Sequence, residues 1–330
     1  MMTAAKISGG VAAALAAALC VAALAASAEV AVPYPQRAVR VIVPFPAGGA
    51  VDVVMRAYAQ EMSASWKHPV VVENIVGASG SLAAAQAARA AKDGTTLIAG
   101  VGTTTSMLKV LKPKLSFDPV NDFAAISLLA TFPSVLVVRQ DLPVSSVREL
   151  IELAKAQSGK LTFASSGFGS SLHLAGEMFK LAAGVDIMHV PFSGSAPAVN
   201  ALLGGHVDMS FDTMPSIWPQ VQGGKLRALA VAATARTPAA PDLPPIGDTL
   251  PGFDVTAWQG ILAPAGTPDA IVAQVARDIQ RIAATPAFAK SMLDVGAVVT
   301  ATTPAQTQAF IQADYVKWQR VMREAGLTPE

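Results

Sequence analysis

Short runs of branched apolar residues alternate with longer amphipathic stretches along most of this 330-residue chain. The first run, Val39 to Phe45, is almost entirely apolar, which is typical of a strand covered on both faces. A helical stretch from Val51 to Lys67 follows it. The alternation continues with a strand at Val70 to Glu73, a helix at Ser81 to Ala91 and a strand at Thr95 to Val101. This βαβαβ series predicts a parallel sheet with helices on both faces.

A second series of the same kind begins after residue 130. Its predicted strands are Ser134 to Arg139, Leu161 to Ala164, Ile187 to Phe192, Val207 to Phe211 and Leu226 to Ala232. Its predicted helices are Ser145 to Gln157, Leu172 to Ala183 and Pro197 to Leu203. The first of these helices has a serine cap and Glu149 in its first turns. The sequence therefore predicts an α/β protein with two doubly wound domains.

The C-terminal part of the chain returns to the first domain in this scheme. The strand Ala257 to Ala263 and the helices that begin near Pro268 and Pro304 have no sheet of their own to cover. Packing them on the first domain is the simplest arrangement. The two crossings, near Thr131 and Asp254, would then form a hinge beside an interdomain cleft. The predicted domains are residues 29–131 together with 255–330, and residues 132–254.

The N-terminus has the pattern of a signal peptide. Lys6 precedes an apolar, alanine-rich run from Val11 to Ala26, and a small-x-small cleavage site ends at Ala28. The run is short for a membrane span of about 20 residues. A retained N-terminal anchor, the alternative, is therefore less favoured than a cleaved signal peptide. Leu19 is larger than the residue that usually precedes a lipidated cysteine such as Cys20. We expect export to the periplasm with cleavage after Ala28.

Composition excludes several classes of function. Without Lys6, the mature chain would carry 24 − 1 = 23 basic residues against 23 acidic ones. This neutral balance gives no basic surface for nucleic acid or an anionic membrane. The mature chain would also lack Cys20, its only cysteine, and its four histidines lie far apart in the sequence. We therefore expect no nucleic-acid partner, no metal site and no cofactor.

The stretch from Phe45 to Asp52 carries the strongest indication of a binding site. A strand ends there, Gly48 and Gly49 let the backbone approach a ligand, and a helix starts. Free N–H groups at a helix start, with the positive end of the helix dipole, attract anions. An ordinary turn without a ligand is the alternative. Asp52 is expected to stabilise the helix start rather than to touch an anion, and the stretch lacks the nucleotide-binding glycine motifs.

Three further loops, rich in glycine, serine and threonine, follow predicted strands at residues 102–106, 165–171 and 192–197. Loops at the carboxyl ends of parallel strands line the binding crevice, so the four loops are expected to meet in one cleft. None has lysine or arginine at its core, so N–H groups, hydroxyls and water would hold a carboxylate. The predicted ligand-binding residues are Phe45, Ala47, Gly48, Gly49, Thr103, Thr104, Thr105, Ser165, Ser166, Gly167, Ser170, Phe192, Ser193, Ala196 and Asp212.

An enzyme is the less favoured alternative. The serine loop lacks the GxSxG order of a nucleophile elbow, and no pair of acids is arranged for general acid–base work. An exported hydrolase would have to use Ser170 or Ser171 with His173, which otherwise serves as a structural histidine. We expect a protein that catalyses nothing.

The ordered motifs resemble the Bug family, the extracytoplasmic solute-binding proteins of tripartite tricarboxylate transporters. The likeness spans nearly the whole mature chain. The motifs include Val43 to Gly49 with Asp52, Val72 to Asn74, Lys92 to Leu97, Phe117 to Pro119, His173 to Glu177, His189 to Phe192, Phe211-Asp212, Gly224 to Val231 and Ala263 to Pro268.

The resemblance implies the fold of type II periplasmic binding proteins and a ligand with at least one carboxylate. Family members bind dicarboxylates, amino acids or aromatic acids. In that family the loop matching Phe45 to Gly49 clasps one carboxylate through backbone amides and waters, and Asp212 matches an aspartate at the cleft. The expected partners are this small ligand and the permease subunits, with the receptor itself a monomer. A membrane sensor in place of the permease is the alternative.

This chain departs from the family at several polar positions. Thr105 and Leu108 stand where the family often has histidine and asparagine, and Phe192 and Ser193 stand where it often has tyrosine and lysine. Ile75 and the following valine replace a common Arg-Pro pair. These changes remove polar groups from the pocket and favour a ligand that is less charged than citrate.

Overall fold

The computed structural model describes residues 34–111 and 114–324. The described residues from Arg37 onward form one compact unit, and residues 1–36 fall into a separate unit, of which only residues 34–36 are described. The predicted signal peptide lies outside the described residues. No helix within the described ranges has both the length and the apolar character needed to cross a membrane.

The predicted elements occur in the predicted order, and the structure adds short elements between them. The strands are β1 (Val39–Val43), β2 (Val70–Asn74), β3 (Thr96–Val101), β4 (Phe123–Arg139), β5 (Thr162–Ser165), β6 (Met188–Pro191), β7 (Met209–Thr213), β8 (Leu226–Val231), β9 (Thr256–Pro264) and β10 (Val298–Val299). The helices are α1 (Ala50–Trp66), α2 (Ser81–Ala88), α3 (Leu108–Leu111), α4 (Val147–Ala156), α5 (Ser171–Ala183), α6 (Ser195–Leu203), α7 (Met214–Gln222), α8 (Asp269–Ala283), α9 (Pro286–Asp294) and α10 (Pro304–Glu324).

The strands pair in two groups, which we call the first and second sheet halves. In the first half, β1 lies parallel to β2 and β3, and β9 pairs antiparallel with β3 and with the start of β4. In the second half, β5 lies parallel to β6 and β7, while the end of β4 pairs antiparallel with β7 and β8. The predicted α/β architecture is confirmed, including the return of the strand after Ala257 to the first half.

Strand β4 links the two halves. Pro133 pairs with Thr256 of β9, whereas the next residue, Ser134, pairs with Thr213 of β7. The prediction that this strand begins at Ser134 was wrong, because it begins at Phe123. The missed part is rich in alanine and leucine, has no alternation, and forms a strand because β9 pairs along it and β10 pairs with Ala130 and Thr131. The division into two domains near Thr131 stays a prediction.

Helix boundaries follow local chemistry. Ser146 caps α4 by accepting a hydrogen bond from the backbone N–H of Glu149, as the predicted serine cap requires. Helix α5 ends at Gly184 in the left-handed conformation. Helix α7 is absent from the predicted elements because it contains Pro219, and an internal proline is normally a sign that a helix has ended.

Each sheet half is built around buried side chains. Ile42, Ile98 and Trp258 belong to one cluster in the first half. Phe163 and Phe211 belong to another in the second half. Burial of both faces of these central strands fixes their registers, so the loops at their carboxyl ends are held in defined positions.

Candidate functional site

A cavity lies between the carboxyl ends of the strands of the two halves. Its volume, including its open mouth, is about 570 Å³. From the first half it is lined by Phe45, Gly49, Ala50, Val51, Val101, Gly102 and Thr103. From β4 and β9 it is lined by Phe132, Ala257 and Trp258. From the second half it is lined by Ser166, Ser171, Leu172, Ser195 and Thr213. The predicted meeting of four loops in one cleft agrees with this geometry.

Helix α1 starts at the cavity wall. Its N-cap residue, Gly49, supplies no side-chain cap, and the first amides of a helix have no partner within the helix. Two nearby N–H groups are already used, because Gly48 N donates to Asp52 Oδ2 at 3.0 Å and Ala50 N donates to Ser216 Oγ at 2.8 Å. The remaining first-turn amides and the helix dipole favour an anion at this end of the cavity.

Asp52 holds the start of α1 in place. Besides Gly48 N, its carboxylate accepts hydrogen bonds from Arg56 Nε at 2.9 Å and Asn74 Nδ2 at 2.9 Å. Burial acts to raise the pKa of Asp52, but the donors Arg56, Gly48 and Asn74 outweigh it and the pKa is lowered. Asp52 is absent from the cavity lining, so it stabilises the helix start, as the sequence analysis expected.

The threonine loop contributes less to the cavity than its composition suggests. Residues Thr103–Met107 form a π-helical turn before α3. Thr104 and Thr105 are buried, and the hydroxyl of Thr105 donates to Val101 O at 2.9 Å. Thr103 is the predicted residue of this loop that lines the cavity. The hydroxyls of Thr104 and Thr105 instead donate to Val101 O, at the end of β3.

The serine loop between β5 and α5 divides in the same way. Ser165 Oγ lies 2.7 Å from His189 Nε2, and Ser170 caps α5 by accepting a hydrogen bond from His173 N. The hydroxyl of Ser170 also donates to Gly167 O at 2.7 Å. Ser166 is the predicted residue that lines the cavity here. Ser165 and Ser170 thus hold the loop in place, and Ser166 faces the cavity.

His173 is occupied in the structure. Its Nδ1 accepts a hydrogen bond from Gly169 N at 3.1 Å, and its ring stacks on that of His189 at 4.0 Å between centroids. Burial lowers the pKa of both rings, that of His189 to about 3. The hydroxyl of Ser170 meets backbone groups rather than the imidazole. This arrangement keeps a loop in place, and neither His173 nor the Ser165–His189 pair belongs to the residues that line the cavity.

The last predicted loop reaches the cavity through Ser195 rather than through its neighbours. Phe192 packs against the core of the second half, Ser193 is exposed, and Ala196 is half-buried. Ala47 and Gly48 are also exposed outside the lining, and Gly167 lies within its own loop. Each predicted loop contributes at least one residue to the cavity, but the sequence could not show which residue of each loop faces inward, because loops lack a fixed side-chain period.

Asp212 lies behind the cavity wall and is fully buried. Its Oδ1 accepts a hydrogen bond from Thr213 N at 2.7 Å, and its Oδ2 has no hydrogen-bond partner among the described residues. Burial raises the pKa of Asp212 to about 7, against the opposing effects of the nearby Ser195 hydroxyl and of the hydrogen bonds from Thr213. Ser195 and Thr213 both line the cavity, so the carboxyl lies one residue behind the cavity wall.

Sequence reasoning missed the part of the lining that comes from the strands joining the halves. Phe132 and Trp258 are almost fully buried, on β4 and β9 respectively. The position of Trp258 beside the predicted return crossing was a signal that could have found it. Phe132 gave no signal, because its segment was not recognised as a strand.

Several contacts join the halves across the mouth of the cleft. Ser79 Oγ donates to Phe168 O at 3.2 Å, in addition to the bond between Ala50 N and Ser216 Oγ. Gly194 lies so close to Pro46 that a Cβ on Gly194 would fall 2.5 Å from Pro46 Cδ.

Within the described ranges, no group of three His, Cys, Asp or Glu side chains is placed to hold a metal ion.

The sequence of the chain is similar to a known protein family and to individual relatives. Residues 54–327 match the family described as the tripartite tricarboxylate transporter family receptor, TctC. The protein BugT of Bordetella pertussis is 35% identical over 299 residues, which cover 89% of this chain and 90% of BugT. The predicted resemblance to the Bug family is therefore confirmed.

Two solved structures are also similar. The R. palustris protein Rpa4515, solved with adipate, is 32% identical with a TM-score of 0.88 and covers 90% of this chain and 100% of its own. MatC (Rpa3494) from Rhodopseudomonas palustris, solved with bound malate, is 36% identical with a TM-score of 0.82 and covers 87% of this chain and 99% of its own. The chain belongs to the tripartite tricarboxylate transporter receptor family.

Proposed function

We propose that this chain is a periplasmic solute-binding receptor that captures a small carboxylate in the cleft between its sheet halves. The single observation that carries the proposal is the start of α1 at the cavity wall, where the N-cap residue, Gly49, supplies no capping side chain. The hydroxyls of Ser166, Ser171 and Ser195 line the same cavity and can add donors. Relatives solved with adipate and malate support a carboxylate as the ligand.

Domain closure is the second part of the proposal. Residues 29–131 with 255–330, and residues 132–254, would move as two domains about the adjacent strands β4 and β9. The contacts from Ser79 to Phe168 and from Ala50 to Ser216 join the halves and support the interpretation of this arrangement as the closed one. A ligand favours closure only to the extent that it binds the closed form more tightly. The closed surface would then be presented to membrane permease subunits.

Export is the third part of the proposal. Cleavage after Ala28 would release the receptor as a monomer that needs no disulfide, since Cys20 is removed with the signal peptide. N-terminal sequencing of the periplasmic fraction tests this directly, and a mature chain that begins at Glu29 is the expected result.

A melting screen tests whether the protein binds carboxylates. Monocarboxylates, dicarboxylates, amino acids and aromatic acids are added to the purified mature chain, and a ligand present at 100 times its Kd should stabilise it by about 2.7 kcal/mol. The hit is then titrated by calorimetry. A screen in which no carboxylate raises the melting temperature contradicts the proposal.

A variant of Gly49 tests where the ligand binds. The residue has an ordinary extended backbone, and a Cβ there would lie 3.9 Å from Ser195 Cβ across the cleft. Gly49→Val therefore places a branched side chain in the cavity without backbone strain, and should abolish the melting shift. Ala182→Val, at an exposed position on α5, is the matched control and should keep the shift. Unchanged binding by Gly49→Val places the ligand elsewhere.

A further inference from the structure

One buried carboxyl beside the cavity, that of Asp212 on β7, has no part in the proposed binding of a carboxylate. Its Oδ1 accepts a hydrogen bond from Thr213 N at 2.7 Å, whereas its Oδ2 has no hydrogen-bond partner among the described residues. A buried carboxylate oxygen without a donor is strongly disfavoured. A proton on that oxygen removes the charge and turns the oxygen into a donor. The surroundings of Asp212 therefore suit the neutral carboxyl.

No cation on the neighbouring elements compensates a charge on Asp212. The elements packed against β7 are β4, β5, α5, α6 and α7. The charged or titratable side chains on these elements are Arg139, His173, Glu177 and Lys180. None of the four acts on the pKa of Asp212, which responds to burial, to the Ser195 hydroxyl and to Thr213. The two cations are engaged with other acids, because Arg139 pairs with Asp208 and Lys180 pairs with Glu177.

Ser195 connects Asp212 with the anion end of the cavity. It lines the cavity, and its hydroxyl lies near enough to the carboxyl to lower the pKa of Asp212. A side chain on Gly49, the N-cap of α1, would place its Cβ 3.9 Å from Ser195 Cβ. A carboxylate held at the start of α1 would therefore lie beside Ser195, with Asp212 on the other side of the same residue.

A proton on Asp212 changes what Ser195 can offer to an anion. A serine hydroxyl has one hydrogen to donate. An ionised Asp212 competes for that hydrogen and repels a bound carboxylate through the cavity wall. A protonated Asp212 does neither, and it can donate to the oxygen of Ser195, so that the hydroxyl hydrogen is available to the carboxylate.

From the unpartnered carboxyl and its place behind Ser195, we infer that Asp212 is a positioning residue of the cleft, which takes up a proton when a carboxylate is captured and so directs the Ser195 hydroxyl toward it. This inference rests on the proposed function and adds the regulation of the same site by pH. Capture is then tighter at pH 6.5 than at pH 8.5, since ionisation of Asp212 works against the bound anion.

Calorimetry tests the uptake of the proton. Adipate, malate, hexanoate and benzoate are titrated into the mature chain, and the tightest binder is followed from pH 6.5 to pH 8.5 at constant ionic strength, where these acids stay largely ionised. Its affinity should fall about fivefold over this range, because burial raises the pKa of Asp212 to about 7 in the empty cleft. At pH 8 the binding enthalpies in phosphate and in Tris should differ by an amount that corresponds to at least about 0.3 proton taken up.

A pair of variants assigns the proton to its residue. Asp212→Asn keeps the size of the side chain and an acceptor for Thr213 N, but it cannot titrate, so its affinity should change by less than about twofold over the same pH range. Asp314→Asn is the matched control, because Asp314 is a second buried carboxyl with a raised pKa, which lies beside Trp258 and Gly102. It should keep the wild-type pH dependence. A dependence that survives in Asp212→Asn, or that Asp314→Asn removes, overturns the inference.

Melting without any added acid gives a second measurement. The folded pKa of Asp212 lies above its ordinary value of 3.8. Its contribution to stability is therefore complete below that ordinary value and is lost as the pH rises through the folded pKa. The melting temperature of the wild type relative to Asp212→Asn should fall between pH 5 and pH 8. A difference that stays constant contradicts the inference.

The outcomes separate this inference from the receptor function. Binding with the same affinity at pH 6.5 and pH 8.5 overturns the role of Asp212 and leaves the receptor function standing. Binding of none of the four acids also overturns the inference, and the receptor function falls with it only if the wider melting screen is flat.

Discussion

At the residue scale, the cleft is shaped by side chains that do not face the cavity. Asp52, Thr105, Ser165 and Ser170 each satisfy backbone or side-chain groups of a loop or helix start, while other residues nearby line the cavity. The supporting role of Asp52 was predictable from its position in the first turn of a helix. Composition could not separate the supporting hydroxyls of Thr105, Ser165 and Ser170 from hydroxyls that face the cavity, since both tasks need the same groups.

Asp52→Asn tests whether the carboxylate of Asp52 stabilises the start of α1. The amide keeps the shape of the side chain but loses its charge-assisted bonds to Arg56 Nε and Gly48 N, so unfolding should cost about 1–3 kcal/mol less free energy than in the wild type. Urea unfolding at pH 7 measures the change. Lys290→Gln, which removes an exposed ion pair with Asp294, is the control and should change stability by much less.

The pH dependence of the same variant gives an independent test. The folded pKa of Asp52 lies below its ordinary value of 3.8. Its stabilising contribution is therefore complete above that ordinary value and is lost as the pH falls through the folded pKa. The difference in unfolding free energy between wild type and Asp52→Asn should shrink when the pH is lowered from 7 to 3. A difference that stays constant over this range contradicts the assigned role.

Gly176 is required by a close approach between α5 and β5. A Cβ at this position would lie 2.0 Å from Phe163 Cε2, inside the core of the second half. Gly176→Ala should therefore destabilise the fold by about 1–3 kcal/mol, although alanine is the better helix former. Gly176→Ala with Phe163→Leu should recover part of the loss, and thermal melting of both variants measures it. A Gly176→Ala variant that is more stable than the wild type contradicts the close packing of Gly176 against Phe163.

At the scale of elements, regular segments were predictable and tertiary exceptions were not. The helix α4 and the strands β1 to β3 follow from periodicity and from one cap. Helix α7 contains Pro219, and the first part of β4 lacks any alternation. Their structures depend on neighbours far away in the sequence, so a local pattern carries no trace of them. The missed start of β4 also hid Phe132 from the predicted site.

Helices α1 and α7 meet through one hydrogen bond, which gives the prediction at this scale. Ser216 Oγ, on α7, accepts from Ala50 N at the start of α1. Ser216→Ala removes this bond, worth about 1 kcal/mol, from the closed form only. Stopped-flow measurements should show the bound carboxylate leaving about fivefold faster. Ser291→Ala, which removes a local bond to Phe288 O in α9, should leave the off-rate unchanged. Equal off-rates in the two variants contradict a role of the Ala50–Ser216 bond in holding the closed form.

At the scale of the whole molecule, the two sheet halves share β4, and β9 follows the return crossing. The pairing change between Pro133 and Ser134 lies beside the predicted crossing near Thr131, so the topology was predictable from the order of elements. Which surfaces meet across the cleft was not predictable, because the contacts of Ser79 with Phe168 and of Pro46 with Gly194 join loops far apart in the sequence.

A removable cross-link tests closure itself. A Cβ on Gly49 would lie 3.9 Å from Ser195 Cβ, close to the mean of about 3.8 Å in disulfides. The double variant Gly49→Cys/Ser195→Cys should oxidise to an intramolecular disulfide in the cysteine-free mature chain. Because side chains at these two positions also fill the cavity, the measurement is made without ligand. The oxidised protein should have a smaller radius of gyration in X-ray scattering than the reduced one, which can open, and a reductant should restore the larger value. Each single cysteine variant controls for side-chain bulk, and equal radii in the oxidised and reduced double variant contradict closure, because two domains that move about a hinge can separate only when they are not linked.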